Sequence, residues 1–495
     1  MNWLRKLESV MRIELLLLLA WICFFAIHAG APLTDPDTPW HLATGQYILA
    51  HHAIPTTDPF SWSMRGKPWV TQEWLFEVVL AWLAQHAGFI GIWALAVFLH
   101  TATVLVLYRL CCDVSAGQRI FSAVAASLGT AAGLDFWVLR PQLISYTMFA
   151  IFLWILSRVE HGYLKALWLV PPLILIWANA HASVSIGIIM LVFEAVMSLI
   201  PNVGRLSRLS LSNRARMYLL LTAVVAVAIG FLNPNTYHEF TYALLSNNSL
   251  MVNSINEWHS PDFHNQYYKY GVIPFVALVL ILLILRKRSV PLKYVLYFGG
   301  CFALTLVYQR FMPYLAIAGA PLIAFGLSDC LRGLLHPSRM FRYVLGILMC
   351  GVVVDFFVAV PNLRGSVDKH FSANAYPIDA VNYLKQHDIP GPLLNAYDFG
   401  GYLIYEHIPT FVDGRTDIFL ENNTFQDYMD LQNLAWDAPE LLDQYGFNSA
   451  ILPPGYALSV YLSNNPDWHV VYQTDNAEIF VRNKETAKRV SLSGE

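Results

Sequence analysis

Charge is scarce in this chain. Charged residues make up 13% of its 495 positions and hydrophobic residues 56%. An ordinary soluble domain carries about twice that share of charge. The charges that are present nearly cancel, to a formal −3, so the basic excess that nucleic-acid binding requires is missing. Cysteine is scarce too. The six are Cys23, Cys111, Cys112, Cys301, Cys330 and Cys350, with none from residue 31 to 74 and none after Cys350. Disulfides are therefore excluded from the polar parts of the chain, and so is a cysteine-based metal site. Internal repeats and low-complexity tracts are also absent.

What the chain has in quantity is long apolar runs. Crossing a hydrocarbon core of about 30 Å takes about 20 helical residues. Eleven runs approach that, centred near residues 21, 98, 127, 150, 171, 191, 224, 278, 300, 320 and 350. The first begins on basic residues and ends at Ala29-Gly30-Ala31, as a cleavable signal would. With ten further runs behind it, an uncleaved helix is the expectation. Lys and Arg collect on the cytoplasmic side. With the N-terminus inside, the inside loops carry 18 basic residues and the outside loops before the tail only Arg65, Lys67, Arg140, Lys269 and Arg310. This orientation puts the first loop (31–74) and the C-terminal tail on the external face. The expectation is a polytopic α-helical membrane domain over 1–360 and an extracytoplasmic α/β domain over 361–495. An integral protein of a bacterial inner membrane fits this plan.

The first loop reads TDPDTPWHLATGQYILAHHAIPTTDPFSWSMRGKPWVTQEW, from Thr34 to Trp74. It concentrates Asp35, Asp37, His41, Asp58 and Glu73 beside Trp40, Trp62, Trp69 and Trp74. An aromatic belt at the membrane surface is the plain reading of the tryptophans. A site for a substrate that is part lipid and part polar is the functional one. Asp35, before Pro36, also has the placement of a helix cap.

In the tail, helices are expected near Pro377–Asp388, from Gly400-Gly401 onward and near Phe425–Leu434. An apolar run follows the first helix at Pro392–Ala396, a short strand is expected in PTFVDGR, a helix-to-strand step in PELLDQYGFNSAILP, and strands in HVVYQT and AEIFVRN. The last two flank the turn signal Asp475-Asn476. The acidic VDGRTD stretch (Asp413, Arg415, Asp417) could hold a metal or phosphate, but a turn with Arg415 pairing locally is the simpler account. The end, NKETAKRVSLSGE, reads as a frayed terminus.

Ionisable groups near a bilayer are costly and default to a functional hypothesis. Beyond the first loop the polar and ionisable residues to explain are Arg140 in FWVLRPQL, Asn179 and His181 in WANAHAS, Asn233, Asn235, Tyr237 and His238 after the seventh run, Glu257, His259 and Asp262 in INEWHSPDF, and Arg310 in YQRFMPY. All fall on the external face. A carboxylate can serve as general base or bind a divalent ion, and arginine can hold a phosphate by paired hydrogen bonds. Snorkelling would equally explain Arg140 and Arg310, and packing would explain His181.

The stretches DPDTPWHLATGQYIL, IPTTDPFSW and GKPWVTQEWLFE, with RPQLISY, WANAH, INEWHSPDF, RFMPYLAIAGAPLIA and GGYLIYE…FVDGRTD, resemble a prokaryotic group of GT-C glycosyltransferases. These are multi-spanning enzymes that use polyprenyl-phosphate-linked sugars. The resemblance runs over nearly the whole chain. It implies a GT-C fold and an inverting transfer, by a hexosyl- or pentosyltransferase, of a sugar from a polyprenyl-phosphate donor to an extracytoplasmic glycan, lipid or protein. Asp37 is then the first choice of base and Asp35 the second. His41, Glu73, Arg140, Asn179, His181, Glu257, His259 and Arg310 are the implied substrate-binding set. Asp35-Pro36-Asp37 also matches the D-x-D pattern that binds Mg2+ or Mn2+ in oligosaccharyltransferases of the superfamily, many of whose other enzymes need no metal. The WWD-type motif of those oligosaccharyltransferases is missing here, against transfer of a whole glycan to a sequon asparagine. From other classes, a transporter or flippase of a lipid-linked glycan would place charges at the membrane midplane. A non-catalytic scaffold would need its tail but not Asp37.

Overall fold

The computed structural model describes residues 12–201, 206–207, 211–245, 248–331 and 339–483. The basic positions Arg5, Lys6, Arg205, Arg208 and Arg332, and the tail from Lys484 on, lie outside these residues. The described chain is mostly helical and falls into two compact units. One comprises the chain up to Ala31, Ile90–Leu244 and Ile255–Arg364, the other Pro32–Phe89, Leu245–Ser254 and the chain from Gly365 on.

The first unit is a helix bundle. Each of the eleven apolar centres falls inside a helix. Among the described residues, six segments are long and apolar enough to cross a membrane: Phe89–Val114, Gln142–Glu160, Asn213–Gly230, Tyr268–Leu285, Gln309–Cys330 and Val344–Leu363. Four shorter apolar helical segments accompany them, Ile13–His28, Leu164–Ala180, Ala182–Met197 and Leu292–Val307. The helix Met312–Cys330, rich in alanine and glycine, is buried almost throughout and is packed by Arg119–Ala131, Ile273–Leu285 and Leu292–Val307. Small residues allow such close helix approach. Elsewhere apolar side chains stand open, Val224 at 68%, Ile284 at 77% and Ile347 at 71% exposure. Water would penalise such surface, whereas hydrocarbon would not. The protein is an integral membrane protein.

One ionic cluster lies buried in this bundle. Lys293 Nζ is 2.6 Å from Glu160 and 3.0 Å from Glu194, and Tyr297 donates to Glu194 at 3.4 Å. Glu194, which has no assigned role in the sequence reading, is thus a charge partner between helices.

The second unit joins the first loop to the tail. Leu33 forms a parallel bridge to Phe371 and Ser61 one to Thr410. The tail's sheet has four strands in the order Leu393–Asn395, Ser449–Leu452, Glu478–Arg482, Trp468–Gln473. The first pair is parallel and the other two pairs are antiparallel, with Leu394 opposite Ala450 and Ala450 opposite Phe480. The antiparallel pair around Asp475-Asn476 is the expected hairpin. Helices Ile378–Gln386, Thr424–Gln432 and Ala438–Gln444 stand where the pattern indicates them.

Three details differ. The helix assigned to GGYLIYEHI runs Tyr397–Tyr405, so its glycines lie inside rather than at its start. PTFVDGR forms no strand, because Phe411 N–H is taken by the Asn395 side chain at 2.7 Å, leaving only the Thr410 bridge. The helix Ala457–Asn464 was not anticipated.

Candidate functional site

The residues singled out from sequence divide between the units, and each group is built differently. In the second unit, the first-loop helix runs Thr38–His51, with Pro39 in its first turn, where a missing N–H costs nothing. Asp35 Oδ1 accepts from Asp37 N–H and Thr38 N–H, each at 3.0 Å, and from the Thr38 hydroxyl at 3.2 Å. Asp35 thus serves as the helix start, satisfying donors that the first turn leaves open.

Asp37 is placed differently. Its Oδ1 accepts the Trp40 indole N–H at 3.1 Å, and the side chain is only half-buried. A Cβ on Gly414 would lie 2.1 Å from that same oxygen. Only glycine lets the VDGRTD turn approach so closely. On the neighbouring helix, a Cβ on Gly401 would lie 2.1 Å from the Pro36 carbonyl, which explains why the glycine pair sits mid-helix.

VDGRTD itself is a buried ionic clasp. Arg415 donates to Asp413 through Nε (2.8 Å) and Nη2 (2.7 Å), and to Asp58 through Nη1 (2.6 Å). Its guanidinium also stacks over Phe60 and Trp69. Local pairing with Asp413 agrees with the simpler account, while the partner Asp58 lies 357 positions away and only folding reveals it. Asp58 is further held by the Phe60 and Ser61 N–H groups and the Ser61 hydroxyl. Next to the clasp, burial pushes the Asp417 carboxyl up to about 7, against the lowering pull of Arg415.

Three of the four loop tryptophans pack within this unit. Trp40 and Trp69 are buried. Trp62 stacks on Phe411 and donates its indole N–H to the Leu393 carbonyl at 3.0 Å. An indole satisfied in this way has no need of the bilayer surface.

His41 and Glu73 meet Glu77, a residue the sequence reading passed over. His41 Nδ1 lies 3.0 Å from Glu77 Oε1 and 3.7 Å from Glu73 Oε2, and all three side chains are buried. Burial drives the Glu77 carboxyl well above its ordinary range, the Glu73 charge adds to this, and Arg415 opposes it. The signal was present in QEWLFE: two glutamates four apart at a helix start share one face. Among the described residues this is the single group of three His, Cys, Asp or Glu side chains placed to hold a metal ion. Asp35 and Asp37 form no such group, each having a carboxylate oxygen engaged by N–H donors.

In the helix bundle, Arg140 is buried and paired with Glu257, an inward pairing rather than a snorkelling one. Arg310 lies 4.2 Å over the Trp258 ring, with no carboxylate partner among the described residues, and its charge reaches His181, Tyr146 and Tyr314. His181 Nδ1 lies 3.0 Å from Ser145 Oγ and 2.8 Å from Ser183 Oγ, and accepts the Ser183 N–H at 3.2 Å. Nδ1 is then an acceptor, which leaves the ring proton of neutral His181 on Nε2. Asn179 donates to the Leu175 and Leu232 carbonyls, a tie between helices. His259 is exposed, and its carbonyl takes the Gln309 N–H at 2.9 Å.

No family model matches the chain, and no curated protein matches it. Solved structures do. The Archaeoglobus fulgidus oligosaccharyltransferase tethered to an acceptor peptide with an NVT sequon is similar at 11% identity and a TM-score of 0.55, over 95% of this chain and 74% of that one. The same organism's enzyme AglB, in complex with an inhibitory peptide and a dolichol-phosphate, is similar at 10% identity and 0.55, over 88% and 69%. A form of that oligosaccharyltransferase with zinc and sulfate gives 10% and 0.51, over 88% and 68%. The fold is shared with these oligosaccharyltransferases and is the one that the resemblance of the sequence motifs implies.

Proposed function

We propose that this chain is a membrane glycosyltransferase that moves a hexose or pentose from a polyprenyl-phosphate donor to an extracytoplasmic glycan, lipid or protein. In this reading the bundle crosses the membrane eleven times, with the N-terminus inside, in a bacterial inner membrane. The observation that carries the proposal is the seating of Asp37, whose half-buried carboxylate is held against Gly414 and oriented by the Trp40 indole. Support for a lipid-phosphate donor comes from the shared fold, since one archaeal structure contains dolichol-phosphate.

The acceptor hydroxyl attacks the anomeric carbon from the face opposite the lipid phosphate. As the new C–O bond forms, the bond to the phosphate oxygen breaks, its electron pair leaves on the phosphate, and Asp37 takes the hydroxyl proton. The configuration inverts. Arg310 is the first choice for neutralising the departing phosphate because its charge has no carboxylate partner among the described residues. Arg140, already paired with Glu257, is the second. Preorganised charge of this kind contributes the largest catalytic share in many enzymes. Asn179, His181, Glu257 and His259 shape the sugar and acceptor contacts, with His181 acting as an Nε2–H donor. A Mg2+ or Mn2+ ion, where the reaction uses one, would be held by Asp35 and Asp37 and would offset the charge of the donor phosphate; no step above is routed through it.

Asp37→Asn should lower sugar transfer from a polyprenyl-phosphate donor pool by about 10²–10⁴-fold. Undiminished transfer would remove Asp37 as the base. A transporter would use buried ionisable groups in the bundle, and Lys293 is one. Its close pairing with Glu160 and Glu194 favours a helix lock instead.

A further inference from the structure

We propose that His41, Glu73 and Glu77 hold one divalent transition-metal ion, Zn2+ or Mn2+, which fastens the helix Thr38–His51 to the helix Trp74–Ala87. This goes beyond the transfer reaction and does not depend on it.

Spacing is the first argument. Ligands bound to one centre at 2.0–2.2 Å in a tetrahedral shell stand about 3.4 Å apart. His41 Nδ1 lies 3.0 Å from one Glu77 oxygen and 3.7 Å from a Glu73 oxygen, values that bracket that figure. One donor atom from each residue falls within 4.8 Å of the other two.

A second, independent observation is an orphaned oxygen. Glu77 is 1% exposed, and its Oε2 has no hydrogen-bond partner. A buried polar atom left unpaired is costly, and two buried carboxylates side by side repel each other. A cation bound to both relieves the two costs together.

The donor set selects the ion. One imidazole nitrogen with carboxylate oxygens suits zinc or manganese, whereas calcium and magnesium favour oxygen-only shells. The His41 ring packs on Trp40, the centroids 3.6 Å apart, which limits its rotation.

The backbone is arranged for the purpose. A Cβ on Gly45, one turn after His41, would lie 2.0 Å from the Glu77 carbonyl, so the helices touch backbone to backbone there. Glu73 and Glu77 stand at the start of the second helix, where its dipole favours negative charge. His41 N–H bonds the Asp37 carbonyl at 3.2 Å, so an ion on His41 would stiffen the turn that carries Asp37.

The test uses the full-length protein in detergent, stripped with a chelator and dialysed. Mn2+ is titrated with electron paramagnetic resonance of the free ion, Zn2+ by calorimetry, and the melting temperature is followed throughout. One ion should bind per chain and raise the melting temperature. Glu77→Gln and His41→Ala should each weaken binding at least about tenfold, while Asp35→Asn leaves it unchanged. Metal-free Glu77→Gln should melt with metal-free wild type, since glutamine keeps the shape of the neutral acid. If it does not, Glu73→Gln replaces it, with the same weakening expected. Absence of saturable binding, or unchanged binding in both Glu77→Gln and His41→Ala, overturns the proposal in favour of a shared His41–Glu77 proton. Loss in Asp35→Asn with retention in Glu77→Gln overturns it in favour of the D-x-D pair. Because the readout is ion binding, either outcome leaves sugar transfer to be judged separately.

Discussion

Asp35 and Asp37 are two positions apart and chemically identical, yet they meet different partners. Asp35 spends one oxygen on three donors at a helix start, while Asp37 meets an indole N–H and a glycine turn. A third acid of this unit, Asp417, gives a pH prediction. Its carboxyl is raised from 3.8 to about 7 by burial, so the folded state binds its proton more tightly than the unfolded chain does. Stability from this group is complete below pH 3.8, falls as pH rises, and is lost above about 7. Thermal melts across that window should therefore show a declining stability that Asp417→Asn flattens. An unchanged slope in the variant would assign the decline to another group.

At the scale of elements, the clasp of Asp58, Arg415 and Asp413 ties the first loop to the VDGRTD turn. All three side chains are buried, and the two carboxylates also accept N–H and hydroxyl donors. Removing one member strands charge in a low-dielectric interior. Arg415→Ala should destabilise this unit by about 3–5 kcal/mol, seen as an earlier transition in denaturant titration. Adding Asp58→Asn should recover part of the loss. A variant with wild-type stability would show that water reaches the clasp. In the bundle, Lys293 plays the comparable part between helices.

At the scale of the whole molecule, a segment ending at Phe89 and one beginning at Gly365 make one compact unit. A chain cut before Gly365 would keep Asp37 but lose Gly414, Arg415 and the Leu393 carbonyl that receives Trp62. Its first loop should be cleaved readily by protease, and its sugar transfer should fall as far as in Asp37→Asn. A protected loop with intact transfer would mean that the tail is a separable domain.

The limits of reading from sequence follow physical lines. Apolar periodicity and length are local properties, so the apolar helical centres, the tail hairpin and three of its helices were legible without coordinates. So was the capping potential of Asp35, which needs only the residues beside it. Glu77 was missed because its meaning depends on His41, 36 positions away, with Gly45 allowing the approach. For the tryptophans belt and site stayed open, because an indole beside a membrane and an indole bonded to a distant carbonyl look identical in one dimension. Sequence alone determined that this is a membrane-embedded helical chain with an acidic first loop. Which acids cap, which are clasped by Arg415 and which stands half-open against Gly414 was decided by tertiary structure, because burial and hydrogen bonding depend on partners that only folding supplies.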